Sequence, residues 1–116
     1  MKIAFVGSRD FSDRDFVESK TREYLRGSDC VEFISGGASG VDSICEGVAH
    51  CLGIKCTIII PDWEHLGKSA GFVRNKDIIN QADFVIAFWD GKSKGTKSSI
   101  DLALNAGKPI DVYIRK

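Results

Sequence analysis

Short apolar runs closed by glycine or proline alternate along this chain with segments whose apolar residues recur every three or four positions. Ile3–Val6, Val31–Ile34, Cys56–Ile60, Asp83–Phe88 and Ile110–Ile114 read as strands, the first three ended by Gly7, Ser35-Gly36-Gly37 and Pro61. Between them lie helical patterns. Ser12-x-x-Asp15 resembles a capping box, opening a helix that should stop near Gly27. Val41, Ile44, Cys45, Val48, Ala49 and Leu52 form one apolar face, with Gly53 as its natural end. A weaker helical pattern covers Ala70–Gln81. A fourth covers Thr96–Ala106, stopped by Gly107 and Pro109. Asp62–Ser69 reads as loop.

Strands apolar on both faces, alternating with helices, predict a parallel sheet covered on both sides. The expected fold is α/β, a Rossmann-like three-layer α/β/α arrangement with five parallel strands in one domain over residues 1–116. In such a sheet ligands sit outside the carboxyl ends of the strands. Three glycine- or hydroxyl-rich turns fall there: Gly7-Ser8-Arg9, Gly36-Gly37-Ala38-Ser39-Gly40 and Gly91-Lys92-Ser93-Lys94-Gly95-Thr96. A turn that feeds a helix N-terminus points several backbone N–H groups at one spot, which suits an anion. Three together predict a cleft for a phosphate-bearing ligand.

Charge narrows the partners. Sixteen basic and sixteen acidic residues give a formal net charge of zero. Proteins that track a nucleic-acid backbone usually carry a basic surplus, so nucleic acid is not the expected partner. No apolar run is long enough to span a bilayer, and Met1–Val6 is too short for a signal-peptide core. The expected location is therefore the cytoplasm, with no membrane partner. Cys30, Cys45, Cys51 and Cys56 form no Cys-x-x-Cys pair and lack metal-ligand spacing, so reduced, mostly packed thiols and no metal are expected. Nothing places His50 or His65 beside a cysteine as its base.

Within the turns, glycine permits close backbone approach and positive φ, so Gly36, Gly37, Ala38, Ser39 and Gly40 are candidates for phosphate or ribose contact. Asp42 is either a helix-start carboxylate or an acceptor for a ribose hydroxyl. The Gly91–Thr96 segment fails as a Walker loop: three residues separate Gly91 from Gly95, and Thr96 precedes Lys97. As a phosphate nest it offers the backbone of Gly91 and Gly95 and the hydroxyls of Ser93 and Thr96. Arg9, after Gly7 and Ser8, is either a phosphate clamp or a solvated arginine. Arg74, followed by Asn75, carries the same two readings. Trp63 and Trp89 are placed to stack on a base or to close the core. Asp90 and Glu64 are the carboxylates best placed for acid–base work, without a visible partner.

Taken in order, Gly7-Ser8-Arg9, Ser35–Asp42, Asp62-Trp63, Ala70–Asn75 and Ala87–Thr96 resemble the YspA-like branch of the SLOG superfamily, over nearly the whole chain. That superfamily also holds the LOG phosphoribohydrolases and the DprA/Smf proteins. The resemblance implies strand order 3-2-1-4-5, binding of nucleotide-type small molecules such as ADP-ribose, and self-association as a dimer or larger homo-oligomer. It implies no further cofactor. LOG enzymes place a hydrolytic glutamate where this chain has Ser98, whereas Arg74 matches their arginine. A nucleotide sensor or sequestering protein is thus the leading expectation. The alternative is an N-glycosidic or phosphoribosyl hydrolase in which Asp42, Glu64 or Asp90 replaces the missing acid. A DprA-like role in DNA processing ranks third, because the charge is balanced and no added domain is visible.

Overall fold

A computed structural model describes residues 1–27, 29–37 and 40–115. Its strands are β1 (Lys2–Gly7), β2 (Glu32–Ser35), β3 (Lys55–Ile58), β4 (Phe84–Trp89) and β5 (Ile110–Ile114). Its helices are α1 (Arg14–Gly27), α2 (Val41–Cys51), α3 (Trp63–Leu66), α4 (Ala70–Gln81) and α5 (Lys94–Asn105). All neighbouring strands are parallel and stand in the order β3-β2-β1-β4-β5, as expected. β1 is central, with Ala4 opposite Ile34 on one side and Val85 on the other.

Alternation along the central strands divides the core. Ile3, Phe5, Phe33, Ile86 and Phe88 pack with α1 and α2 through Val17, Leu25, Val41, Cys45 and Val48. Ala4, Val6, Ile34, Val85 and Ala87 face α4 and α5 through Ile78, Ile79 and Ala103. Each fully buried large side chain contributes about 1.5–3 kcal/mol. Phe5 stacks on Phe33 with ring centroids 5.2 Å apart. The layer against α1 is sealed at its edge by polar contacts, where the Tyr24 hydroxyl bonds Asp111 and Tyr113 of β5.

Four expectations need correction. β3 ends at Ile58 rather than Ile60 and is largely exposed, because it is an edge strand. The Asp62–Ser69 loop contains α3 and a single 3₁₀ turn, Gly67–Ser69. Asp62 caps α3, its Oδ1 accepting from the His65 N–H at 3.2 Å. α5 begins at Lys94, ahead of Thr96, because Ser93 is its N-cap and accepts from the Thr96 N–H at 3.4 Å. The cysteines are free, but only Cys45 is buried; Cys51 and Cys56 are exposed. No helix of the described residues is long and apolar enough to cross a membrane.

Candidate functional site

The carboxyl ends of β1, β2 and β4 open into a cleft of about 490 Å³. One wall is the loop after β4, and hydrogen bonds fix its shape. The Asp90 N–H donates to Ser8 Oγ at 3.1 Å, and Ser8 Oγ lies 3.3 Å from Thr96 Oγ1. The buried Ser8 hydroxyl therefore joins the ends of β1, β4 and α5. Asp90 Oδ1 accepts both the Lys92 and the Ser93 N–H, each at 2.8 Å. Those two donors hold the Asp90 carboxyl below its ordinary value. Gly91, at φ 83°, makes the bend between Asp90 and these donors. Trp89 donates from Nε1 to the Ser93 carbonyl at 3.0 Å, bracing the same loop from outside.

The opposite wall follows β2. Ser35 Oγ accepts the Gly37 N–H at 3.2 Å. Arg74, from the first half of α4, donates Nη1–H to the Gly36 carbonyl at 2.8 Å and Nε–H to Asn75 Oδ1 at 2.9 Å. Both bonds fix the plane of the guanidinium. Burial pulls its pKa below the ordinary value, Asp42 opposes that fall, and Arg9 adds to it. Arg9 and Arg74 are thus close enough to repel electrostatically within one cleft. Gly40, at φ 78°, leads into α2; a Cβ there would lie 2.5 Å from the Arg9 carbonyl oxygen, so this turn packs backbone on backbone.

Of the residues singled out from sequence, Gly7, Arg9, Gly36, Asp42, Arg74, Asn75, Asp90, Ser93, Gly95 and Thr96 line the cleft together. Ser8, Gly37, Gly40, Trp89 and Gly91 shape its walls without lining it. Ala38 and Ser39 lie outside the described residues. Trp63 and Glu64 sit on α3, away from the cleft and exposed. Val6, Asp10, Ile78, Lys92 and Ser99 line it and were not singled out. Lys92 was readable from its place between Gly91 and Ser93; Val6 and Ile78 carry only a core signal.

A second groove of about 390 Å³ lies between the start of α4 and the length of α5. Phe72, Lys94, Lys97, Ser98, Asp101, Leu102 and Asn105 line it, with Lys97 and Asp101 ion-paired at 3.0 Å. Phe72 is 53% exposed despite its size. Ser98, which takes the place of the LOG glutamate, thus faces this groove.

No family model matches the chain. It is 32% identical to the Gene 61 protein of Mycobacterium phage D29 over 116 residues, which cover 94% of this chain and 93% of that protein. Its fold is similar to DNA processing protein A from Helicobacter pylori, whose structure was described for a single-stranded DNA binding mode. The TM-score is 0.79 and the identity 26%, over all of this chain and 66% of that one. DNA processing protein A from Streptococcus pneumoniae is similar in fold, with a TM-score of 0.76 and 22% identity, over 97% of this chain and 49% of that one. The chain thus spans about two thirds of the first and half of the second.

These neighbours correct the expected relationship and ligand. The likeness that the structure carries is to the DprA/Smf-type domain, not to the YspA-like branch. A sensor or hydrolase of ADP-ribose-like nucleotides, with a role in signalling, is overturned by the same finding, and so is the exclusion of nucleic acid. The physical reason lies in the charge argument. A net charge of zero is a sum over the whole surface and says nothing of where single cations stand; Arg9, Arg74 and Lys92 line one cleft, beside Asp10, Asp42 and Asp90.

Proposed function

The chain belongs to the family of the Gene 61 protein of Mycobacterium phage D29, and we propose that it binds single-stranded DNA by the sugar-phosphate backbone in the cleft at the carboxyl edge of its sheet. One observation carries the reading: Arg74, held on the Gly36 carbonyl, lines a cleft together with Arg9 and Lys92. A guanidinium fixed in this way meets a phosphate with little further loss of freedom. The single-stranded DNA binding described for the Helicobacter pylori protein, whose fold covers this whole chain, supports the same assignment.

Three carboxylates, Asp10, Asp42 and Asp90, share the cleft with the three cations. Asp90 directs an oxygen at two backbone N–H groups of its own loop, and Asp42, which lines the cleft, is largely buried. Gly36 and Gly95 let a sugar-phosphate chain approach the backbone, and Ser93 and Thr96 add hydroxyls. In the groove along α5 Phe72, with Lys94 and the Lys97–Asp101 ion pair beside it, is the platform for a base of the same strand. Stacking on an exposed ring beside a cationic track is how single strands are held without sequence preference.

Fluorescence anisotropy with a labelled single-stranded oligonucleotide, its duplex and a free mononucleotide tests the reading. The single strand should bind, with affinity falling steeply as salt rises. The duplex and the mononucleotide should compete weakly. No binding of the single strand at about 50 mM salt, where backbone contacts are strongest, would sink the proposal.

A further inference from the structure

Arg115 stands at the same edge of the sheet as the cleft, but outside it. Its backbone N–H donates to the Trp89 carbonyl at 3.0 Å. The pairing of β5 with β4 therefore carries it beside the residue that precedes Asp90 and the loop wall. Side chains alternate along a strand, so Asp111, Tyr113 and Arg115 share one face of β5, the face toward α1. There Arg115 Cζ lies 4.2 Å from the centre of the Phe16 ring, and Nη1–H donates to the Ile114 carbonyl at 3.1 Å. Phe16 is itself set edge-on against Phe88 and Tyr113, with ring centroids 6.2 and 5.4 Å away. An exposed arginine is thus held at two points on a packed ring, with part of its side-chain freedom already lost.

Charge gives this placement a use. Lys20, Arg22, Lys55 and Lys97 each stand in an ion pair with a carboxylate. Among the described residues Arg9, Lys92 and Arg115 stand in none. The carboxylates of the neighbouring segments are turned elsewhere. Asp13 accepts the Phe16 N–H at 3.0 Å, and Asp90 holds its own loop. Asp15 faces the groove along α1 with Glu18 and Arg22. Asp111 bonds Tyr24 from four residues back along β5, about 13 Å away. Parallel strands stand about 4.8 Å apart, so the ends of β2, β1, β4 and β5 cover about 14 Å of the carboxyl edge. Arg74 at the Gly36 wall, Arg9 after β1, Lys92 after β4 and Arg115 after β5 follow that order. A row of cations along one edge tracks a backbone rather than a single phosphate. We propose that Arg115 is a further phosphate subsite, where a single strand lying in the cleft leaves it across the ends of β4 and β5. The inference rests on the single-stranded DNA reading above.

Anisotropy titrations of the full chain with labelled oligothymidylates from about 4 to 16 nucleotides, the span of known single-strand sites, test it. Affinity of the parent should rise with length and then level off. Arg115→Gln removes the charge and keeps much of the stem. It should match the parent with the shortest strands and bind the longest ones about 3- to 10-fold more weakly. Its slope of log K against log salt should fall by about 0.7 with the longest strand alone. Arg22→Gln is the control, removing the same charge from the outer groove of α1, and should leave that slope unchanged. Equal affinities of parent and Arg115→Gln at every length overturn the proposal. So does an equal loss at every length, or a slope that falls as far in Arg22→Gln. A parent that binds no strand at any length removes the single-stranded DNA reading and this subsite together.

Discussion

Arg74 Nη1 donates to the Gly36 carbonyl oxygen at 2.8 Å, across 38 residues of chain. This bond joins α4 to the end of β2 and sets where the guanidinium points. Gly36 has no room for a side chain: a Cβ there would lie 2.7 Å from Nη1. The obstructed atom is the far end of a flexible arginine, so the arginine gives way rather than the fold. Gly36→Ala should therefore lose less than about 1 kcal/mol of stability in urea melts. Its affinity for single-stranded DNA should fall roughly 3- to 10-fold, the worth of a misplaced charged hydrogen bond. Unchanged affinity would mean that Arg74 does not hold the strand through this geometry.

Salt dependence separates phosphate contacts from other roles. Each phosphate neutralised on a single strand adds about 0.7 to the slope of log K against log salt. Arg9→Ala and Arg74→Ala should each lower that slope by about this amount, uniformly across oligonucleotide sequences. Glu64→Ala, on exposed α3, should leave it alone. A slope that does not move in either arginine variant removes that arginine from the backbone path.

Phe72 is exposed in a groove lined by Lys94 and Lys97. Stacking of one base on an aromatic ring is worth about 1–3 kcal/mol. Phe72→Leu keeps the apolar bulk and removes the ring face. Affinity for an oligonucleotide long enough to leave the cleft should fall about 5- to 100-fold, while the urea midpoint stays within error. An equal loss with a strand too short to reach the groove would contradict the assignment.

The fold was legible because its signals are local and repeated. Gly7 and Ser35-Gly36 end apolar runs, the period of α2 is clear, and parallel strands apolar on both faces admit few topologies. The short helix α3 was missed because four residues carry no period; Asp62 as its cap was the one available sign. The turns of the site were legible for the same reason as the strands. What they do was not. Trp89 reads as a stacking platform until its indole N–H is seen on the Ser93 carbonyl. Asp90 reads as an acid until its oxygen is seen holding two backbone donors. Sequence lists such groups without their partners, and charge balance counts lysines and arginines without their positions.

Asp90 makes the β4–α5 loop sensitive to acid. Its folded-state value lies below the ordinary one, with the Ser93 and Lys92 N–H groups as the leading causes. A depressed carboxyl stabilises the folded loop fully above the unfolded value of about 4 and loses that contribution as pH falls through the folded one. The Lys92 and Ser93 amide resonances should thus shift together only below about pH 4. In Asp90→Asn the same shift should be absent, with both amides displaced at neutral pH. Independent titration of the two amides would mean that no shared carboxylate holds them.

Gly7 and Gly47 should respond to alanine in opposite directions. A Cβ on Gly7 would lie 2.3 Å from Val41 Cγ1, 2.6 Å from its Cβ and 2.9 Å from its Cγ2. Val41 is buried at the first position of α2, so the helix itself must shift from β1 to admit the methyl group. Overpacking of this kind costs roughly 1–3 kcal/mol. The displacement also moves the α2 N-terminus beside the cleft, so DNA affinity should fall with stability. Gly47 lies within the same helix, exposed, with nothing within 4 Å of an added Cβ. Gly47→Ala should stabilise by about 0.5–1 kcal/mol, the helix propensity difference, and leave binding unchanged. Urea unfolding of both variants beside the parent decides it. Equal stability of parent and Gly7→Ala would show that β1 and α2 are not packed as closely as Val41 requires.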